Sequence, residues 1–437
     1  MQSSFPVEQL GRTFAVAIET HGCKLNSADS QVIASQFIKL GCVVVDDVRE
    51  ADIYVLNTCT VTHQADLKAK KALRAAARAN PDVLLSATGC YVERQPGELL
   101  KLHTNAGPPI VLGNSDKDSF AANVLSSLSS TPIDLTGHPQ LSVGSGALNR
   151  TRATLKIQEG CDQICSYCIV PKVRGREISI PYGELLDKIE QLNADGVPEV
   201  VLTGTQLGTY GHEFPDYDLM TLLGDICANS EMQRIRISSL QPHEITHDLL
   251  QLWNLGVLCP HFHIPLQSGA DRILQAMRRR YTSEKFIQSV ELVRELVPNA
   301  SITTDVIVGF PGESARDFDD TYEICKQAGI TKIHVFPYSL RPGTSAAYFP
   351  DHVDSQSIKT RAHRLRLLSA ELEKQAREGL VGTYRRVLWE SAETKRGERV
   401  WSGLTEDYFR VTTIDSSDLR GLVTPVEVID THKVVIR

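Results

Sequence analysis

The stretch "QEGCDQICSYCIVPKVRG" at residues 158–175 puts three cysteines, Cys161, Cys165 and Cys168, into eight positions. A closed tetrahedral zinc site or a fully ligated iron–sulfur cube takes four protein ligands. The next cysteine along the chain is Cys227, and no histidine lies inside the stretch. A zinc knuckle therefore lacks its fourth ligand nearby. A loop of this spacing can wrap one corner of a 4Fe–4S cube and ligate three irons. The fourth iron then stays open to an exogenous ligand, as the metal of a catalytic zinc site does.

The surroundings of the loop decide where it sits. From Thr151 on, strand-like runs recur at 154–159, 199–203, 234–239, 261–266, 301–308 and 332–337, separated by helical stretches such as "GELLDKIEQLNADG" and "GADRILQAMRRR". Six β/α repeats predict a partial (β/α)6 barrel spanning 151–376, with its chemistry at the C-terminal strand ends. The cysteine loop follows the first strand, "TLKIQEG", and so falls on that face.

Residues 12–125 form a different α/β region. The apolar runs "FAVAIET" (14–20), "ADIYVLN" (51–57) and "DVLLSAT" (82–88) are separated by helical sequence such as "DLKAKKALRAAARA". Strands apolar on both faces with helical crossovers predict an open parallel sheet, Rossmann- or flavodoxin-like. Each run is followed within a few residues by a cysteine: Cys23 in "THGC", Cys59 in "NTC", Cys90 in "TGC". The crevice beyond the carboxyl ends of such strands is where ligands bind. Three cysteines 36 and 31 residues apart are thereby delivered to one edge. The alternative for each is a small buried hydrophobe. Cys42, in "KLGCVVV", precedes a strand and reads as core. Residues 126–150 are rich in Ser, Gly and Pro without helical period and read as a linker.

Composition bounds the rest. A chain of 437 residues has room for two or three domains. Its 42% hydrophobic and 23% charged content is that of a globular protein. The N-terminus has no basic segment followed by an apolar run, and no apolar run approaches the length of a membrane helix. A cytoplasmic chain away from the membrane is expected, in which clustered cysteines point to metal or redox chemistry rather than disulfides. A formal net charge of −7 excludes a generally basic nucleic-acid coat, so any RNA would be held by local patches.

The spacing CxxxCxxC resembles the radical S-adenosylmethionine (SAM) superfamily. The resemblance implies that the open iron chelates the amino and carboxylate groups of SAM and that one electron cleaves it to a 5′-deoxyadenosyl radical. Tyr167 matches the aromatic position near the adenine. "GCKLN", "NTCTVT" and "TGCY", then "VLTGTQLGTYG", "RIRISSLQP", "HFHIPLQSGADRILQAMRRRYT", "DVIVGFPGE" and "VFPYSLRPGT", resemble the methylthiotransferases over nearly all of the chain. That resemblance implies two 4Fe–4S clusters: a SAM-binding one on Cys161, Cys165 and Cys168, and an auxiliary one on Cys23, Cys59 and Cys90 that carries the inserted sulfur. "GCKLN" with "NTCTVT" is similar to the branch that acts on N6-threonylcarbamoyladenosine in tRNA, at position 37 next to the anticodon. "ETHGCK" departs from that branch's Leu-Gly before the cysteine. The alternatives are the same chemistry on N6-isopentenyladenosine tRNA or on a ribosomal protein. A non-catalytic iron–sulfur RNA-binding module leaves the six-repeat barrel unexplained. Implied partners are tRNA, an electron donor such as flavodoxin or ferredoxin, and a sulfur donor that the sequence does not identify.

Residues 377–437 are rich in short strands and turns, predicting a small antiparallel β-barrel that resembles the TRAM domain of RNA-modifying enzymes. This segment holds ten Lys/Arg and ten Asp/Glu, so RNA contact there rests on pairs such as Arg385/Arg386 and Lys395/Arg396. In the N-terminal region Lys68, Lys70, Lys71, Arg74 and Arg78 share a helical segment and are phosphate-contact candidates, against a merely solvated helix face. Gly204 and Gly309 follow barrel strands, where backbone can approach SAM closely. His261 and His263 face one way on a strand, as a metal pair or as packed barrel interior. Arg278, Arg279 and Arg280 end a helix, suiting its dipole or a phosphate. Arg174, Arg176 and Arg341 are placed to read a threonyl carboxylate.

Overall fold

Strands apolar on both faces are stable only when covered on both sides, and the computed structural model contains such strands in each of its two units. It describes residues 13–128 and 151–437. The N-terminal unit reaches Asp162 and also takes Cys168–Ile178; the C-terminal unit comprises Gln163–Tyr167 and Ser179–Arg437. The expected linker lies, from residue 129 on, outside the described residues, as does the N-terminal segment read for a leader.

In the N-terminal unit, β1 (Ala15–Thr20), α1 (Lys24–Lys39), β2 (Val43–Val45), β3 (Ile53–Thr58), α2 (His63–Ala79), β4 (Leu84–Gly89) and β5 (Ile110–Val111) follow in order. The strands form one parallel sheet ordered β2-β1-β3-β4-β5. This is the flavodoxin-like order, whose switch point lies between β1 and β3. Every residue of β3 and β4 is buried. One face packs Val16 and Val55 on Ile33, Phe37, Phe120 and Val124; the other packs Tyr54 and Leu85 on Ala69 and Leu73. α2 starts at Thr62, whose hydroxyl accepts from the Ala65 amide (3.2 Å), and buries Ala69, Leu73 and Ala76 at helical spacing. Phe37, fully buried, contributes on the order of 3–5 kcal/mol by the usual cost of truncation to alanine. Cys42 is buried, as expected of a core residue. A further strand, β6 (Arg152–Lys156), docks in this unit: the Thr154 amide donates to Gln31 Oε1 on α1 (2.9 Å).

The C-terminal unit holds α3 (Tyr182–Ala194), β7 (Glu199–Thr203), α4 (Leu219–Asn229), β8 (Arg234–Ile237), β9 (His261–His263), α5 (Ser283–Leu296), β10 (Ser301–Val308), α6 (Ala315–Gln327), β11 (Lys332–Pro337) and α7 (Ser355–Glu378). β7 pairs with β8, and β9, β10 and β11 pair in succession, all parallel. Bridges Ile235 to Leu258 and Ser239 to His263 carry the curve from β8 to β9. Five of the six expected barrel strands are thus consecutive in this unit.

Five antiparallel strands complete it: β12 (Tyr384–Lys395), β13 (Glu398–Thr405), β14 (Arg410–Ile414), β15 (Val423–Val428) and β16 (Val434–Ile436), ordered β14-β13-β12-β15-β16. Trp389 and Trp401 fill the interior, their indole N–H groups satisfied by Thr424 Oγ1 (2.8 Å) and Ser417 O (3.1 Å). The Thr412 amide reaches His432 O (2.8 Å), drawing the two edges toward closure.

The turn after β13 seals the N-terminal strand ends of the barrel. Glu199, Arg234 and Arg236 there are wholly buried and paired: Arg234–Glu199 at 2.7 Å and Arg236–Glu199 at 3.1 Å. Two cations on one carboxylate need further acceptors. Arg234 donates to Leu404 O and Thr405 O (3.1 Å each), Arg236 to Glu406 O (3.0 Å). His261 stacks on Tyr408 (4.3 Å), so it is packed interior rather than a ligand. The N-terminal ends serve stability, which leaves the C-terminal ends for chemistry.

Candidate active site

Cys23, Cys59 and Cys90 stand at the carboxyl ends of β1, β3 and β4, and the first two flank the switch point. Each strand must stop abruptly to present its thiol. Gly22 (φ +117°) and Gly89 (φ +95°) make two of these stops in the left-handed region. A Cβ on Gly22 would lie 2.8 Å from Cys59 Cβ, and one on Gly89 2.4 Å from Thr58 O. Cys23 is the N-cap of α1 and Cys90 begins the helix Cys90–Arg94. Asn26 and Asn57 lock the edge: Asn26 donates to Asn57 Oδ1 (3.0 Å) and Thr58 O (2.9 Å), and Asn57 donates to Asn26 O (2.8 Å). The Cys23 thiol donates to Asn26 Oδ1 (3.4 Å).

Burial pushes the Cys59 thiol up to about 12, and the thiols of Cys90 and Cys23 add to the rise while Arg174 opposes it. Cys90 is raised for the same first reason, opposed by Arg174, which also hydrogen-bonds it. Three converging sulfur donors, two of them (Cys59 and Cys90) raised by burial, with a guanidinium beside them, suit a cationic iron centre that needs deprotonated sulfur. The chemistry of this donor set fits a cluster.

Arg174 belongs to a buried charge network, not to a substrate mouth. It donates to Glu159 (2.5 Å), Asp29 (3.1 Å) and Asn26 (3.1 Å). Lys117 and Lys156 (3.0 Å) also bind Asp29. Burial alone would raise the Asp29 carboxyl, but Lys117, Lys156 and Arg174 hold it well below the usual range. This corrects the sequence expectation that Arg174 reads a carboxylate of the substrate. Arg176 is exposed and pairs with Asp162 (3.2 Å).

The loop cysteines are divided between the units: Cys161 and Cys168 group with the N-terminal one, Cys165 with the C-terminal one. The Cys161 amide donates to Gly175 O (3.2 Å). In the C-terminal unit, Ser166 anchors the loop through its amide to Met277 O (3.1 Å) and its hydroxyl to Ala276 O (2.8 Å). Ala346 donates to Ser166 O (2.7 Å). Tyr167 packs edge-on against Phe310 (6.5 Å). Cys165 is buried and accepts from Arg279 (3.2 Å). Sequence reasoning left Arg279 with a helix dipole or a phosphate; the fold turns it inward.

Gly204 directly follows β7. Gly309, after β10, has φ +77°, and a Cβ there would meet Ile358 of α7 at 2.3 Å. Its amide donates to Glu313 (2.8 Å). Helix packing by itself accounts for Gly309. His263 lies within hydrogen-bond distance of Thr303 (2.9 Å) and faces Asp305 (3.3 Å). His263, Asp305 and His334 on three neighbouring strands present their ligand atoms within 4.8 Å of one another. Arg341, after β11, is buried beside Ser339.

Of the phosphate candidates, Lys68, Lys71, Arg74 and Arg78 are exposed along α2, while Lys70 pairs with Glu98. Arg385 and Arg386 are engaged within their own unit, with Asp407 (2.8 Å) and Glu406 (2.7 Å). Both cations brace the sealing turn, so as free phosphate contacts they are weaker than the sequence suggested.

Residues 155–325 match the Radical SAM superfamily and residues 15–108 an uncharacterized family, UPF0004. The chain is 35% identical to threonylcarbamoyladenosine tRNA methylthiotransferase MtaB of Bacillus subtilis, over 95% of this chain and 93% of that protein. The MtaB of Aquifex aeolicus is 36% identical over 85% and 92%. The tRNA-2-methylthio-N(6)-dimethylallyladenosine synthase of Corynebacterium diphtheriae is 30% identical over 98% and 86%. Among solved structures, the radical SAM methyltransferase TsrM of Kitasatospora setae shares the fold (TM-score 0.55, 14% identity, 77% of each chain). Among the described residues, no helix is long and apolar enough to cross a membrane.

Proposed function

The chain belongs to the tRNA methylthiotransferase family of radical SAM enzymes, and on that premise we propose that its substrate is N6-threonylcarbamoyladenosine at position 37 of tRNA, which it converts to the 2-methylthio derivative. The observation that carries this choice is the 35% identity with the Bacillus subtilis threonylcarbamoyladenosine enzyme across 93% of that protein. Its cofactors are SAM and two 4Fe–4S clusters. When bound, they supply one-electron cleavage of SAM and a sulfur to insert, which suits an aromatic C–H that acid–base chemistry does not open.

The residues we assign to the SAM-binding cluster are Cys161, Cys165 and Cys168, and to the auxiliary cluster Cys23, Cys59 and Cys90. The convergence of the latter three at a sheet switch point supports that assignment. Tyr167 and Gly204 are offered to SAM. Arg341 at the barrel's C-terminal end remains the candidate for the threonyl carboxylate. Lys68, Lys71 and Arg74 are offered to tRNA phosphates. We divide the chain into an auxiliary-cluster domain (12–125), a linker (126–150), a radical SAM core (151–376) and a TRAM-type domain (377–437). The reductant is a low-potential one-electron protein such as flavodoxin or ferredoxin, and the compartment the cytoplasm.

The test offers reconstituted enzyme two tRNAs, one with threonylcarbamoyl and one with isopentenyl adenosine, and scores methylthio nucleoside by mass. Product on the first alone is expected. Turnover only on the isopentenyl tRNA would overturn the substrate and leave the chemistry standing.

A further inference from the structure

The helix Asp271–Ala276 ends in an unusual way. Arg278 takes φ +59°, the left-handed conformation that glycine usually fills at a helix end. The Arg278 amide donates to Gln275 O and the Arg279 amide to Leu274 O (2.9 Å each), so the turn is a complete Schellman motif built without glycine. Strain of this kind persists only where the surroundings demand it, and it concentrates at functional sites. Its effect here is to bring Arg279 back over the end of the helix. The guanidinium then reaches Cys165 Sγ (3.2 Å), the Tyr281 hydroxyl (3.1 Å) and Gln241 Oε1, and lies 4.8 Å from the Tyr281 ring centroid.

None of those hydrogen-bond partners is a carboxylate. A guanidinium stays charged at any working pH, and Arg279, half-buried, gives up part of its solvation without gaining a carboxylate. Arg174, beside the other cysteine set, has Asp29 and Glu159. Arg279 has only a thiol and neutral dipoles. An anionic group held by Cys165, 3.2 Å away, would supply the missing negative charge.

We propose that Arg279 is the built-in counter-ion of the anionic cluster on the central cysteine loop and raises that cluster's reduction potential through its contact with Cys165. The inference rests on the assignment of Cys161, Cys165 and Cys168 to the SAM-binding cluster. A reduced cluster bears one more negative charge than an oxidised one, so a fixed cation nearby favours reduction by the external low-potential donor. Arg279 is a positioning and tuning residue, acting through the ligand.

The experiment is a redox titration of the reconstituted full-length enzyme without SAM, followed by electron paramagnetic resonance. The cluster with the open iron is recognised afterwards as the signal that SAM perturbs. In Arg279→Gln, iron content should stay at the parental level. At a fixed poise the reduced-to-oxidised ratio of that cluster should fall at least tenfold, about 59 mV for a one-electron couple. Arg279→Lys should restore most of it. An unchanged ratio at full iron content overturns the proposal, including the case in which only SAM affinity falls. A parent enzyme with no SAM-sensitive signal would instead overturn the cluster assignment on which it rests.

Discussion

The two cysteine sets we assign to clusters are built by opposite routes. Cys23, Cys59 and Cys90 come from three strand ends separated by whole helices, and their meeting depends on the sheet order, two left-handed glycines and the Asn26–Asn57 lock. Cys161, Cys165 and Cys168 come from one short loop, within eight residues of sequence. The charge around them differs in the same sense. Arg174 sits inside a network with Asp29, Glu159, Lys117 and Lys156, whereas Arg279 reaches Cys165 among neutral groups. A site assembled from distant parts is held by paired charges that also stabilise the fold. A site written into one loop can leave its cation for the cofactor.

The sharpest way to break this comparison is to remove each set. The parent should hold about eight irons by the stoichiometry of two cubes. Replacing Cys161, Cys165 and Cys168 with Ala should halve that and abolish SAM cleavage. Replacing Cys23, Cys59 and Cys90 should also halve it but leave uncoupled SAM cleavage without methylthio product. Thiolated nucleoside from the second variant would refute the separation of roles.

The next effect is on stability. Arg174→Gln removes one of three cations on the buried Asp29 and one of two on the half-buried Glu159, and should cost about 1.5–3 kcal/mol in urea unfolding of the cluster-free protein. Arg279→Gln strands no carboxylate and should cost less than half as much. Equal losses would erase the contrast. Asp29→Asn should resemble Arg174→Gln at pH 7. Because the folded carboxyl is held below its unfolded value near 3.9, its contribution is present above about pH 4 and is lost as pH falls. The deficit of the Asn variant should therefore shrink in acid; a constant deficit would show that Asp29 is not the charge that matters.

A smaller effect is expected at Gly309. Ala there meets Ile358 and an unfavourable φ, costing on the order of 1–3 kcal/mol. If packing is the reason for glycine, Ile358→Ala should recover part of the loss; no recovery would return Gly309 to the cofactor. The smallest change is expected from Lys68, Lys71 and Arg74 replaced by Ala. Each lost phosphate contact should reduce the slope of log K against log[salt] by roughly 0.9 where the tRNA is duplex. An unchanged slope would place the RNA on another face.

Cysteine spacing and hydrophobic period determined much of this protein by themselves. A loop such as 161–168 is legible because its proposed ligands are neighbours in the chain, and strand 199–203 is legible because burial on both faces leaves the apolar run Val200–Leu202. The strand-end positions of Cys23, Cys59 and Cys90 could be read the same way, and "THGC" and "TGC" carried the extra signal of a glycine where each strand must stop. Partners distant in sequence were decided only by the tertiary structure. Arg174 and Arg279 looked like solvent or substrate cations, because a charged residue in sequence shows its charge and not its counter-ion. Arg385 looked like a surface contact until Asp407 closed on it, and His261 like half of a metal pair until Tyr408 stacked on it. Charge pairing and ring stacking act over a few ångströms between residues that the chain separates by up to about 150 positions, and no local pattern encodes a contact of that range.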